Sequence, residues 1–192
     1  MVVKKRVFVG LLFVLMVILI VVFFQSGSKD EIKLTSSPSS LELEMRASGP
    51  REMRKVVLFF LSERDNLFHP EERLIEVDKS IVLMAKRTIE ELMKGSQRGF
   101  ISPFPPGIKL REVFLCKEGI LYVDFSKDIQ SRHLYGSNAE ISTIFSTVNS
   151  LAYNFKPIKK VFILINGDEK ETLGGHIDLT HPLVPHYDLI VN

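Results

Sequence analysis

Between Val7 and Phe24 the chain runs eighteen residues without a charge or a conventional polar side chain. A helix of that length rises about 27 Å, close to the roughly 30 Å of a bilayer's hydrocarbon core, so the run is expected to be a transmembrane anchor. A cleaved secretory signal is the competing reading, because Ser26-Gly27-Ser28 offers a small-x-small site. Lys4, Lys5 and Arg6 precede the run and should hold residues 1–6 in the cytoplasm as a basic stub. The span is then 7–24, a single pass through the cell membrane with the rest of the chain on the extracytoplasmic side.

The run also decides how the charge is read. The 25 Lys and Arg include the three of the stub, leaving 22 against 23 acidic residues in the remainder. A near-neutral remainder offers no phosphate-binding surface, so nucleic acid is not an expected partner. Cys116 is the one cysteine, which excludes an intramolecular disulfide and a cysteine-rich zinc site. It precedes a tight turn with no histidine beside it, as an inert thiol does. Residues 25–53 are rich in Ser, Pro, Gly and charge and read as a flexible linker. Residues 54–192 are left for one domain.

That domain opens on "KVVLFFLS", residues 55–62, a continuous apolar run too short for a helix and expected to be a buried strand. "RLIEV", residues 73–77, is a weaker strand, and His69 before Pro70 falls in the loop between them. Ile81, Met84, Ala85, Thr88, Ile89, Leu92 and Met93 form one stripe of a helix that Gly95 ends, with Glu90 and Lys94 paired. Glu90 and Glu91 diverge by about 100° and make no acid/base pair. Glycines and prolines keep 95–107 irregular, and their place is wrong for a phosphate-binding loop. Residues 109–126 should form a hairpin turning at Lys117–Gly119. Asp124 and Asp128 flank the strand end, where turn capping is the expected role rather than general acid and base.

The clearest element is the helix in "GSNAEISTIFSTVNSLAYNF". Ile141, Ile144, Phe145, Val148, Leu151, Ala152 and Phe155 make its apolar stripe, and Ser137 with Glu140 reads as a capping box. Its other face, Ser142, Thr143, Ser146, Thr147, Asn149, Ser150 and Asn154, is polar but uncharged. Such a face is expected in solvent, or against a partner protein because it is cheap to desolvate. "IKKVFILING", residues 158–167, is a further buried strand. Val56, Leu58, Phe60, Ile144, Phe145, Val148, Val161, Ile163 and Ile165 are expected to share one core.

The C-terminal stretch "GGHIDLTHPLVPHYDLI" raises the one enzymatic alternative, a metal centre using His176, Asp178 and either His181 or His186. The three histidines are spaced by five, so they do not converge on a strand or a helix. Pro182 and Pro185 interrupt the segment that would have to fold back. His176, Asp178 and His181 are therefore expected to fix a last strand and its exit turn. No catalytic, cofactor-binding or metal-binding residue is assigned, and no cofactor is expected.

Five motifs in order give the chain a resemblance: a Pro/Gly turn before a hairpin ending in Val123-Asp124-Phe125-Ser126; Gly136-Ser137-Asn138-Ala139-Glu140 at a helix start; the strand Val161 to Gly167; Gly175-His176-Ile177-Asp178; and His181-Pro182-Leu183. Over about residues 55–185 the sequence resembles the GerMN domain family of sporulation, germination and bacterial envelope proteins. The resemblance implies an α+β fold, two helices on a small mixed or antiparallel sheet, related to ring-building folds. It implies no established catalytic activity, and the anchor, the near-neutral domain and the uncharged helix face lead to the expectation of a non-catalytic interaction module that binds an envelope protein, another copy of itself, or cell-wall polymer. This chain departs from the pattern in lacking a lipobox cysteine and in carrying one copy of the domain, as general envelope members do.

Overall fold

The computed structural model describes residues 51–132 and 137–191. The stub 1–6, the anchor 7–24 and all but the last three residues of the linker 25–53 lie outside the described residues. Among the described residues no helix is long and apolar enough to cross a membrane.

β1 (Met53–Leu61) and β2 (Phe68–Glu76) form an antiparallel pair, with Met53 opposite Glu76 and Leu61 opposite Phe68. The unbroken apolar run of β1 serves both faces, as such runs do when each side is covered. Val56, Leu58 and Phe60 enter the main core, while Phe59 and Leu61 join Phe68 in a second cluster. β2 is longer than the expected 73–77, and His69 and Pro70 stand inside it rather than in a loop. Proline is tolerated there because β2 is an edge strand whose outward backbone needs no N–H. The Pro70 carbonyl accepts from Arg98 Nη1 at 3.2 Å.

α1 (Ile81–Met93) starts at Ser80, whose Oγ accepts from the Leu83 N–H at 3.3 Å. It buries Met84, Ala85, Thr88, Ile89 and Leu92, the heart of the expected stripe. Lys94 pairs with Glu91, three residues back, instead of Glu90. β3 (Leu110–Leu115) and β4 (Ile120–Phe125) make the expected hairpin. Gly119 closes it with φ +84, and a Cβ there would stand 2.9 Å from the Pro157 carbonyl. After the short α2 (Asp128–Arg132) and the long α3 (Ser137–Asn154), β5 (Lys160–Ile165) pairs parallel to β4.

The strands therefore form two sheets, an antiparallel pair and a mixed three-stranded sheet, where one sheet was expected. The reason lies in α3, which packs on both β1 and β5. Asn154 Oδ1 accepts from the Val57 N–H at 2.9 Å and its Nδ2 donates to the Val57 carbonyl at 2.7 Å. Ser150 Oγ accepts from the Phe59 N–H at 3.0 Å. Helix side chains occupy the edge of β1 that a further strand would need.

The polar face of α3 thus lies neither in solvent nor free for a partner. Ser142, Thr143, Ser146, Thr147, Asn149 and Ser150 are each at most 1% exposed. Eight of the nine expected core residues fall in one buried cluster; Phe145 does not. It is partly buried between the two clusters, its ring edge-on to His186 at 4.7 Å, because the opposite side of α3 also faces protein.

Beyond β5 the chain turns at Asn166 (φ 58) and Gly167 (φ 85) and returns across the domain as an irregular strap. Leu183 exchanges two backbone bonds with Val161 on the edge of β5, and the Val191 N–H reaches the Phe68 carbonyl at 3.0 Å. No strand forms at His176–Asp178, where the last one was expected. Two isolated bridges take its place, because Pro182 and Pro185 prevent a continuous ladder.

Candidate functional site

The motif residues are the first candidates, and the structure spends them on loop backbone. Glu140 is fully buried in the first turn of α3. Its carboxylate accepts from the N–H groups of Leu173 (3.0 Å), His176 (2.9 Å) and Ile177 (3.3 Å). It does not make the expected capping box. Three loop donors outcompete one cap N–H, and the positive end of the helix stabilises the buried charge. Asp124 accepts from the Gly167 N–H and from Arg111 Nε, each at 2.9 Å, and so sets the turn after β5. Ser126 Oγ accepts from the Lys109 N–H at 3.1 Å and donates to Asp128 at 3.2 Å. Asp124 and Asp128 therefore serve different loops.

A third buried carboxylate was not foreseen. Glu71, 3% exposed, is bonded to Arg73 at 2.8 Å, to the Gln97 and Arg98 N–H groups at 3.1 and 3.2 Å, and to Ser96 Oγ. Burial works to raise its pKa, but the bonds from Ser96, Gln97 and Arg73 outweigh it and hold the acid below its ordinary 4.5. Glu71 alternates with exposed neighbours in sequence and looks like any surface glutamate.

The strap leaves the histidines in solvent. His176, Asp178, His181 and His186 are all exposed. Asp178 accepts from the Thr180 hydroxyl and N–H, which lower its pKa, and stands 3.4 Å from His181. His186 faces Asp188 instead, at 3.4 Å, and exchanges backbone bonds with the Asn149 amide. No group of three or more metal-ligating side chains gathers among the described residues.

Two concave surfaces bear on function. A polar cleft of about 600 Å³ opens between the β1–β2 turn and the loop after α1, around Asp65, His69, Arg98 and Phe100. Asp65 Oδ2 lies 2.8 Å from His69 Nε2, whose ring stacks on Phe100 at 4.8 Å. The second surface, of about 450 Å³, is an apolar groove where Phe59 and Pro70 meet Tyr153 and Tyr187. Burial, then the neighbouring Tyr153, raise the Tyr187 pKa. Sequence could not show either, because each joins segments 30 to 130 residues apart.

A buried central helix, two small sheets on it and a strap held by motif side chains define the class, a small α+β module whose signature residues organise its loops. The family described as Germane, sporulation and spore germination, matches residues 57–171, and this chain belongs to that family, the GerMN domains. The tandem GerMN domains of the sporulation protein GerM from Bacillus subtilis share the fold at 21% identity and a TM-score of 0.57, over 69% of this chain and 46% of that one. This chain thus spans about half of the tandem structure. The first GerMN domain of the same protein, at 21% identity and a TM-score of 0.53, aligns over 70% of this chain and 99% of its own. A protein assigned as a lipoprotein from Clostridium perfringens aligns at 22% identity over 73% of this chain and 94% of its own, with a TM-score of 0.49. No curated protein matches the sequence.

Proposed function

We propose that this chain is a membrane-tethered, non-catalytic assembly module of the cell envelope, its GerMN domain carried outside the cytoplasmic membrane on residues 7–24. The observation that carries this reading is the fate of the motif residues. Asp124, Ser126 and Glu140 are buried and bonded to backbone N–H groups, so they shape loops and are closed to a substrate. A family signature spent on loop geometry fits a protein selected for the surface those loops present. The apolar run with its basic flank supplies the tether and the orientation. The family's association with sporulation and germination points to assembly at the envelope of a differentiating cell.

Crosslinking in intact cells, followed by identification of the attached proteins, tests the reading. It expects membrane recovery and a reproducible envelope protein, or a second copy of this chain, in the crosslinked product. Recovery in the cytosolic supernatant, or crosslinking to no protein above background, would overturn it.

A further inference from the structure

We propose that the polar cleft between the β1–β2 turn and the loop after α1 receives the C-terminal carboxylate of a partner protein, with Arg64 and Arg98 as its contacts. Arg98 is already held in place. Its Nη1 donates to the Pro70 carbonyl and its guanidinium lies 5.2 Å over the Phe100 ring, so the planar fork is fixed while its remaining N–H groups meet no acceptor among the described residues. Arg64 lines the same cleft, and its side chain has no hydrogen bond or ion pair among the described residues. Two guanidinium groups at one concavity suit a carboxylate, which takes paired N–H donors.

The remaining groups choose among anions. Asp65 accepts from the Leu67 N–H at 3.0 Å and from His69, and these bonds, the Leu67 one first, hold its pKa below the ordinary value. An ionised Asp65 can only accept, so the hydrogen shared at 2.8 Å comes from His69 Nε2. Glu63, also on the cleft and without a side-chain partner among the described residues, is a second acceptor. The lining therefore carries two arginines and two carboxylates beside His69. A phosphate dianion would bring two negative charges against Glu63 and Asp65, where a peptide end brings one. A peptide end presents a carboxylate to the arginines and its last amide N–H to Glu63. Gly99 leaves room for the approach: φ is +78, and no atom lies within 4 Å of where a Cβ would stand. Capture of a chain terminus by a polar concavity is a recurrent recognition mode.

The inference rests on the interaction-module reading but fails separately from it. Isothermal titration of the full chain in detergent micelles would use N-acetyl-alanyl-alanine, its C-terminal amide, its D,D isomer and inorganic phosphate. The L,L acid should bind, and the amide should bind at least about tenfold more weakly, the effect of losing a charged hydrogen bond. Arg64→Ala should weaken the acid about tenfold with an unchanged melting temperature, since Arg64 supports nothing in the fold. Equal binding of acid and amide, no binding at about 10 mM, or an unaffected Arg64→Ala chain would overturn the site. Tighter binding of the D,D isomer or of phosphate would overturn the choice of a protein terminus. A crosslinked partner with no titration signal would retain the module and remove the cleft from its mechanism.

Discussion

α1 and α3 both carry an apolar stripe and a polar remainder, yet they are used in opposite ways. α1 lays its stripe on the sheets and leaves Leu83 and Glu90 to solvent, as an amphipathic surface helix does. α3 has its polar remainder buried as well, between β1 on one side and the strap on the other. The difference lies in the kind of polar side chain. α1 bears Lys86, Arg87, Glu90 and Glu91, whose charges are costly to bury unpaired. α3 bears Ser, Thr and Asn, which can be buried wherever a backbone group accepts or donates a bond. An uncharged polar face is thus a site for strand edges and loops of the same chain.

The largest expected break in this comparison is Glu140→Ala. It strips the acceptor from three N–H groups of the strap, two of them part-buried and one buried, and should cost about 3–5 kcal/mol in urea unfolding, since each N–H left without an acceptor costs about 1–3 kcal/mol. Asn154→Leu comes next. It leaves the Val57 N–H and C=O unpaired, and denaturant unfolding should show a loss of about 1–3 kcal/mol.

Glu71→Gln sharpens the comparison through pH. The folded-state pKa of Glu71 is depressed below 4.5, so its contribution is present above that value and lost as pH falls through the folded pKa. The substituted chain should lose less stability between neutral and acidic pH than the parent; equal losses would remove Glu71 from the acid response. The smallest effect is set on one helix face. Ser146→Ala removes a buried hydroxyl that has no partner, and should leave stability unchanged or raise it by up to about 1 kcal/mol, whereas Ser150→Ala should lower it.

Much of the fold was legible, for reasons that also mark where legibility stopped. β1, α1, the β3–β4 hairpin, α3 and β5 each show a period or an apolar run that solvent and core enforce. β2 runs longer than its sequence suggests because Pro70 argues against a strand until one knows that its outward edge meets the strap only at Phe68. Glu140 was read as a cap because its sequence spacing fits one, and only the tertiary approach of residues 173–177 redirects it. Phe145 belongs to the stripe by spacing but meets the seam between two clusters. The histidine stretch reads as scattered by its spacing of five, and its role as a strap depends on Val161 and Phe68, far away in sequence. The cleft was beyond reach: Asp65 and His69 gain significance only when Arg98 and Phe100 fold beside them.

The central claim is that the polar face of α3 takes the place of a strand on β1. Hydrogen exchange at the Val57 and Phe59 amides tests it most directly, with Asn154→Ala and Ser150→Ala chains alongside the parent. In the parent both amides should exchange as slowly as the β1–β2 ladder; Asn154→Ala should release Val57 selectively and Ser150→Ala should release Phe59. Fast exchange of both amides in the parent, at the rate of an open strand edge, would contradict the account.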